Sequence, residues 1–170
     1  IFNELETIKL FYNRLKITVN SIKDHSFIIF FIDDGSSDKS SEIIKEIIDT
    51  DSRVKLIILT RNFGKEAALS AGLDHVEADA VVPMDVDLQD PPELIKEMIS
   101  IWHSGIPLVL ARRTHRTEDT LFKRFSASIF YFIHNKLSSI TIPKNVGDFR
   151  LMDKSVVDSV KLLPEKERFM

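Results

Sequence analysis

The chain has 170 residues, 44% of them hydrophobic and 29% charged, with a net charge of -3 and no cysteine. That size and composition suit one globular domain with a real core; the charge gives no global attraction to nucleic acid, and disulfide or thiolate chemistry is excluded. The longest unbroken apolar run, Phe27 to Ile32, is far shorter than the ~20 residues a membrane span needs, so this stretch is expected to be soluble.

In chain order, Leu5, Ile8, Phe11, Tyr12, Leu15 and Val19 fall at helical spacing and predict a helix packed on a sheet. Four continuous apolar runs follow: Phe27 to Ile32, Val54 to Leu59, Ala80 to Met84 and Ile106 to Ala111. Runs of that kind are what strands buried on both faces look like. Between them lie three stripes of helical period: Ile43, Ile44, Ile47 and Ile48; Ala67, Ala68, Ala71 and Val76; Leu94, Ile95, Met98, Ile99 and Trp102. Strand and helix alternate, which predicts an α/β three-layer sandwich with a mostly parallel central sheet and ligands at the carboxyl ends of its strands. Beyond Thr114 the pattern changes to a long helix, roughly 120–137, a loop through Pro143, the segment Asn145 to Met152 and a helix from about Asp153. The aromatic part of the long helix, Leu121 to Ile133, reads as core packing, with an interfacial membrane helix as the sharper alternative.

The polar clusters obey the strand-end rule. Asp85-Val86-Asp87-Leu88-Gln89-Asp90 follows the third run; alternate residues of an extended segment point the same way, so Asp85, Asp87 and Gln89 can converge on a hard cation, Mg2+ or Mn2+, holding a diphosphate. Asp90-Pro91-Pro92-Glu93 reads as a capping box, which assigns Asp90 to a helix cap. In Asp33-Asp34-Gly35-Ser36 the glycine permits a tight turn, Ser37 or Asp38 can cap the next helix, and a carboxylate at Asp33 or Asp34 can accept from a base N–H or a ribose hydroxyl. Arg61 and Lys65 flank a glycine at a helix start, a setting for phosphate; for Lys65 an ion pair with a nearby carboxylate is an equal alternative. Arg112, Arg113, Arg116, Lys123 and Arg124 gather positive charge where a second anion could dock. The five histidines show no metal spacing.

Together these residues resemble glycosyltransferase family 2, in particular the polyprenyl-phosphate glycosyltransferases. The resemblance rests on Phe2-Asn3-Glu4, Asp33-Asp34-Gly35-Ser36, Arg61-Asn62-Phe63-Gly64-Lys65, Asp85 through Glu93 and Gly147-Asp148-Phe149-Arg150-Leu151. It implies a GT-A (Rossmann-like) fold, a single catalytic domain over residues 1–170 and an inverting hexosyltransferase. The implied donor is a nucleotide sugar, UDP-glucose, bound through Mg2+ or Mn2+; the implied acceptor is undecaprenyl or another polyprenyl phosphate. On matching positions, Glu4, Asp33, Asp34, Arg61, Lys65 and Asp85 would bind the donor, and Asp85, Asp87 and Gln89 the metal. Arg113 and Arg124 would bind the acceptor phosphate, and Asp148 would sit with Asp87 at the reacting centre as base or positioning group. The family's first strand would precede Ile1 and membrane helices would follow Met170, so the chain reads as an excerpt of a longer protein at the cytoplasmic face of the plasma membrane. Nucleic acid is not an implied partner, and oligomerisation stays open.

Two further readings stand beside it: a family 2 enzyme with a soluble or polysaccharide acceptor, and, from another class, a receiver-like phospho-switch or a non-catalytic nucleotide-binding module. A receiver needs its basic residue after a later strand, whereas Arg61 and Lys65 precede the Asp85 cluster.

Overall fold

The structure, a computed structural model, describes residues 1–112 and 146–163. The chain divides into two compact units, Ile1–Val109 with Asp148–Met170, and Leu110–Gly147. In the second unit the described residues are the strand ends Leu110 to Arg112 and Val146 to Gly147.

In the first unit, α1 (Ile8–Ser21) buries Ile8, Phe11, Tyr12, Leu15 and Val19, the expected stripe, while Leu5 lies ahead of the helix and is exposed. Strands β1 (Ile29–Asp33) and β2 (Val54–Ile58) pair in parallel, from Ile29 opposite Val54 to Asp33 opposite Ile58. The connection between them is α2 (Ser40–Thr50), which packs on both strands through Ile44 and Ile47. This is the crossover that parallel neighbours require. Helix α3 (Lys65–His75) packs on β1, where Gly72 lets the helix approach Ile32: an added Cβ would stand 3.1 Å from that side chain.

The expected third strand is shorter than its apolar run: β3 covers Ala80–Val81. A short 3-10 turn, Pro92–Leu94, leads into α4 (Ile95–His103), which buries Ile95, Met98 and Ile99. Strand β4 is Leu108–Arg112, and β5 (Val146–Asp153) forms in a segment for which the apolar runs predict no strand. The order in this second sheet is β3-β5-β4, and β5 is antiparallel to β3, with Ala80 opposite Asp153. The signal for β5 is a period-2 alternation over residues 148–151: Phe149 and Leu151 are buried, while Asp148 and Arg150 keep partly exposed side chains.

Helix α5 (Lys154–Lys161) begins at the cap Asp153, whose Oδ1 accepts from the Ser155 N–H at 2.9 Å and whose Oδ2 accepts from Trp102 Nε1 at 2.8 Å. Leu73, Met152 and Val157 form a buried cluster joining α3, β5 and α5. The α/β architecture with helices around a parallel pair is as expected. The antiparallel entry of β5 is what the apolar runs did not announce, because a half-polar strand reads by alternation and not by continuity.

Candidate active site

Burial alternates along β1 so that Ile29, Phe31 and Asp33 share the inward side, which leaves a carboxylate with no exposed surface at the strand end. Such a group needs hydrogen bonds. Asp33 Oδ1 accepts from the Ser36 N–H at 2.9 Å, and Oδ2 accepts from the Ser41 hydroxyl. Asp34, also buried, reaches the other way: Oδ1 accepts from the Phe63 N–H at 2.8 Å and Oδ2 from the Gly64 N–H at 2.9 Å. The two neighbouring carboxylates therefore organise the two loops that flank the strand ends, Asp33 its own turn and Asp34 the Arg61–Gly64 loop. Between those loops sits Gly35, at φ +72°, with the backbone of Arg61 and Asn62 lying directly over its Cα.

Asn3 supplies a tie that only the resemblance pointed toward. At φ +54°, a conformation asparagine tolerates better than most residues, it accepts through Oδ1 from the Ser37 N–H at 2.9 Å and the Asp38 N–H at 3.3 Å. Its own N–H donates to Ser36 Oγ at 3.0 Å. Glu4 follows, its N–H donating to Ser40 Oγ at 3.0 Å and its carboxylate accepting from the Thr7 hydroxyl at 2.9 Å. Asp38 accepts from the Ser40 N–H at 2.9 Å, serving the first turn of α2 from one residue before the cap position, Lys39.

The third cluster departs from the extended geometry expected of it. After Asp85 the chain turns: Val86 is buried at 7%, Leu88 adopts φ +65°, and Asp87 Oδ1 accepts from the Gln89 N–H at 3.0 Å. The left-handed Leu88 and the hydrogen bond from Gln89 to Asp87 close a turn there, and Asp87 and Gln89 are placed by that turn. The helix start is also one residue later than expected. Pro91 takes the cap position and Pro92 the first helical one, while Asp90 is buried ahead of them.

Lys65, the first residue of α3, joins the clusters. Its Nζ lies 2.7 Å from Asp85 Oδ2 and 2.7 Å from Asp148 Oδ2, while Arg150 Nη2 lies 3.4 Å from Asp148 Oδ1. The ion pair expected as one alternative for Lys65 is formed, with two carboxylates. Burial works against its charge, but the hydrogen bonds to Asp148 and Asp85 outweigh burial and push the ammonium up to about 12. Arg150 stands two residues after Asp148, and the alternation of β5 is the sequence signal that puts both on the same side of the strand. Arg61 is exposed, its guanidinium 4.5 Å from the centre of the Phe63 ring. Arg112 is exposed at the end of β4, and Arg113, Arg116, Lys123 and Arg124 lie outside the described residues, as does the aromatic helix.

Among the described residues, no three His, Cys, Asp or Glu side chains converge as a metal site. The donor set nevertheless suits a hard divalent ion that completes its shell with ligand oxygens and water: Asp85 keeps 44% of its side chain exposed and Asp87 is exposed beside it.

Parallel strands with loops pinned by buried carboxylates, and an acidic cluster at the strand ends, make an α/β domain of the GT-A type. The chain belongs to glycosyl transferase family 2, whose model matches residues 1–161. It is 48% identical over 170 residues to a bactoprenol glucosyl transferase of Shigella phage SfX and 47% identical over 170 residues to a prophage bactoprenol glucosyl transferase homolog of Escherichia coli K12. Both matches cover 100% of this chain and 55% of the relative, so the chain spans about half the length of the curated relatives it matches. The fold is similar to that of glucosyl-3-phosphoglycerate synthase from Mycobacterium tuberculosis, crystallised with Mn2+, UDP-glucose and phosphoglyceric acid. There the TM-score is 0.61 at 19% identity, covering 91% of this chain and 55% of that one. It is also similar to that of a mannosyltransferase from Pyrobaculum calidifontis in complex with GDP-mannose and Mn2+, with a TM-score of 0.59 at 17% identity, covering 94% of this chain and 44% of that one.

Proposed function

We propose that the protein is the donor-binding and catalytic part of an inverting glycosyltransferase that moves glucose from UDP-glucose onto a polyprenyl phosphate, such as undecaprenyl phosphate, at the cytoplasmic face of the plasma membrane. The observation that carries this reading is the meeting of Asp85 and Asp148 on Lys65, which assembles two carboxylates and a cation from three separate segments at the strand ends. The 48% identity to a bactoprenol glucosyl transferase across the whole chain supports the choice of sugar and acceptor.

In this reading Asp33 and Asp34 shape the base and ribose pocket through the loops they hold, with Glu4 and Arg61 at its edge. Asp85 and Asp87, with Gln89 beside them, hold Mg2+ or Mn2+, which when bound supplies positive charge against the departing diphosphate. Arg113 and Arg124 hold the acceptor phosphate. A phosphate monoester is already anionic near neutral pH, so Asp148 has little need to take a proton from it. Held between Lys65 and Arg150, it acts as a positioning residue that orients cations and balances their charge. The parent protein meets the membrane through other segments; among the described residues no helix is long and apolar enough to cross one.

Titration calorimetry with UDP and with GDP, each with and without Mn2+ and with Asp87→Asn as control, tests the reading. Metal-dependent binding of UDP over GDP, lost in Asp87→Asn, is expected. Binding of neither nucleotide by folded protein overturns it.

A further inference from the structure

Lys65 stands where a cation is wanted. Its ammonium donates at 2.7 Å to Asp85, the first of the two carboxylates assigned to the metal, and at 2.7 Å to Asp148 on β5. We propose that Lys65 is the resident cation of this acidic cluster, that it exchanges with the divalent ion on Asp85, and that metal binding thereby releases it to serve Asp148 and the donor's diphosphate. The inference rests on the metal reading above.

One physical argument and two observations support the exchange. A divalent ion on Asp85 would bring two positive charges within a few ångströms of the ammonium, and like charges at that separation repel strongly even where water screens them. Lys65 can yield, because 47% of its side chain is exposed and its charge rides on a flexible four-carbon stem. The backbone beneath it cannot easily follow, since Asp34 fixes the Phe63 and Gly64 N–H groups immediately before it. Movement is thus confined to one side chain, which swings from a carboxylate it has lost toward the remaining carboxylate and the incoming anion. A strut whose only task was to tie α3 to β5 would have no reason to contact the metal carboxylate.

The consequence is a reversal of sign. With Mn2+ alone, followed by the electron paramagnetic resonance signal of the free ion, Lys65→Met and Lys65→Gln should bind the metal at least about fivefold more tightly than the unaltered protein, because a competing cation is gone. With Mn2+ and UDP together, the same variants should bind UDP more weakly, because the diphosphate has lost a counter-charge. Arg150→Met, which removes a cation paired with Asp148, should change binding of Mn2+ alone by less than about twofold at ordinary ionic strength. Circular dichroism establishes folding, and if the methionine variant does not fold the glutamine variant decides. Mn2+ affinity that is unchanged or weaker in the folded Lys65 variants, while the unaltered protein binds Mn2+ with UDP, refutes the exchange and leaves the metal reading standing. An equal gain in Arg150→Met also refutes it, as general electrostatics. Absence of Mn2+ binding by every form, with UDP present, overturns the metal reading and the exchange together.

Discussion

Replacing Gly35 by alanine should loosen the two loops that we propose shape the donor pocket, at a cost that has two parts. The first is conformational: Gly35 holds φ +72°, and a residue with a Cβ in the left-handed region costs about 1–2 kcal/mol. The second is steric. The added Cβ would lie 2.7 Å from Arg61 Cα and 2.8 Å from the Asn62 N, and nearest of all to the Arg61 carbonyl carbon. These are backbone atoms, so the loop itself must shift, at about 1–3 kcal/mol by analogy with overpacked cores. The sum is about 2–5 kcal/mol, or roughly 5–15 °C in melting temperature for a chain of this size. Gly105→Ala isolates the first term, because Gly105 is also left-handed, at φ +93°, with nothing within 4 Å of the added Cβ; it should lose about 1–2 kcal/mol. Urea unfolding of both variants gives the comparison, and calorimetry with UDP and Mn2+ gives the functional arm. Displacing the Arg61 loop strains the hydrogen bonds from Phe63 and Gly64 to Asp34, so Gly35→Ala alone should also weaken UDP binding. Equal destabilisation by the two substitutions, or unaltered UDP affinity in Gly35→Ala, would refute the claim that the close crossing of the two loops builds the site.

Three further substitutions probe separate links. Asp51 accepts from the Tyr12 hydroxyl at 2.8 Å and from Arg53 Nη2 at 2.7 Å, and the Arg53 hydrogen bonds hold its carboxyl well below the usual carboxylate range. Asp51→Asn should cost about 1–3 kcal/mol in urea unfolding at neutral pH. Because the folded-state value is depressed, that stability is fully present above the unfolded value of about 3.9 and is lost as pH falls below it. The gap between the two proteins should therefore close in acid, and a constant gap would contradict the assignment. Asp153→Ala removes the cap of α5 and the acceptor of the Trp102 indole, so the midpoint of urea unfolding should fall; Trp102, the one tryptophan of the sequence, reports the change by its fluorescence, and an unaltered spectrum would rule out the Trp102 bond. Asp87→Asn keeps an acceptor for the Gln89 N–H at an exposed position, so stability should change by less than about 0.5 kcal/mol while metal-dependent transfer is abolished. Retained turnover would remove Asp87 from the metal site.

Periodicity and strand-end chemistry made much of this protein legible without coordinates. The stripe of α1, the Ile44 and Ile47 face of α2 and the parallel pair of β1 and β2 follow from apolar spacing, because burial of one face is a local, repeating demand. The ordered motifs around Asp33, Lys65, Asp85 and Asp148 likewise pointed to family 2. What the tertiary structure decided is which partner each polar group takes. Asp33 and Asp34 are adjacent and chemically identical, yet one turns to Ser36 and Ser41 and the other to a loop 29 residues away. His25 and His103, 78 residues apart, bring their Nε2 atoms to 3.1 Å, a pairing that no spacing rule announces. Lys65 meets Asp148 because β5 enters antiparallel beside β3, a placement that no local spacing announces. Periodic burial is encoded residue by residue along the chain, whereas hydrogen bonds and ion pairs depend on which distant segments the topology brings within about 3 Å of one another.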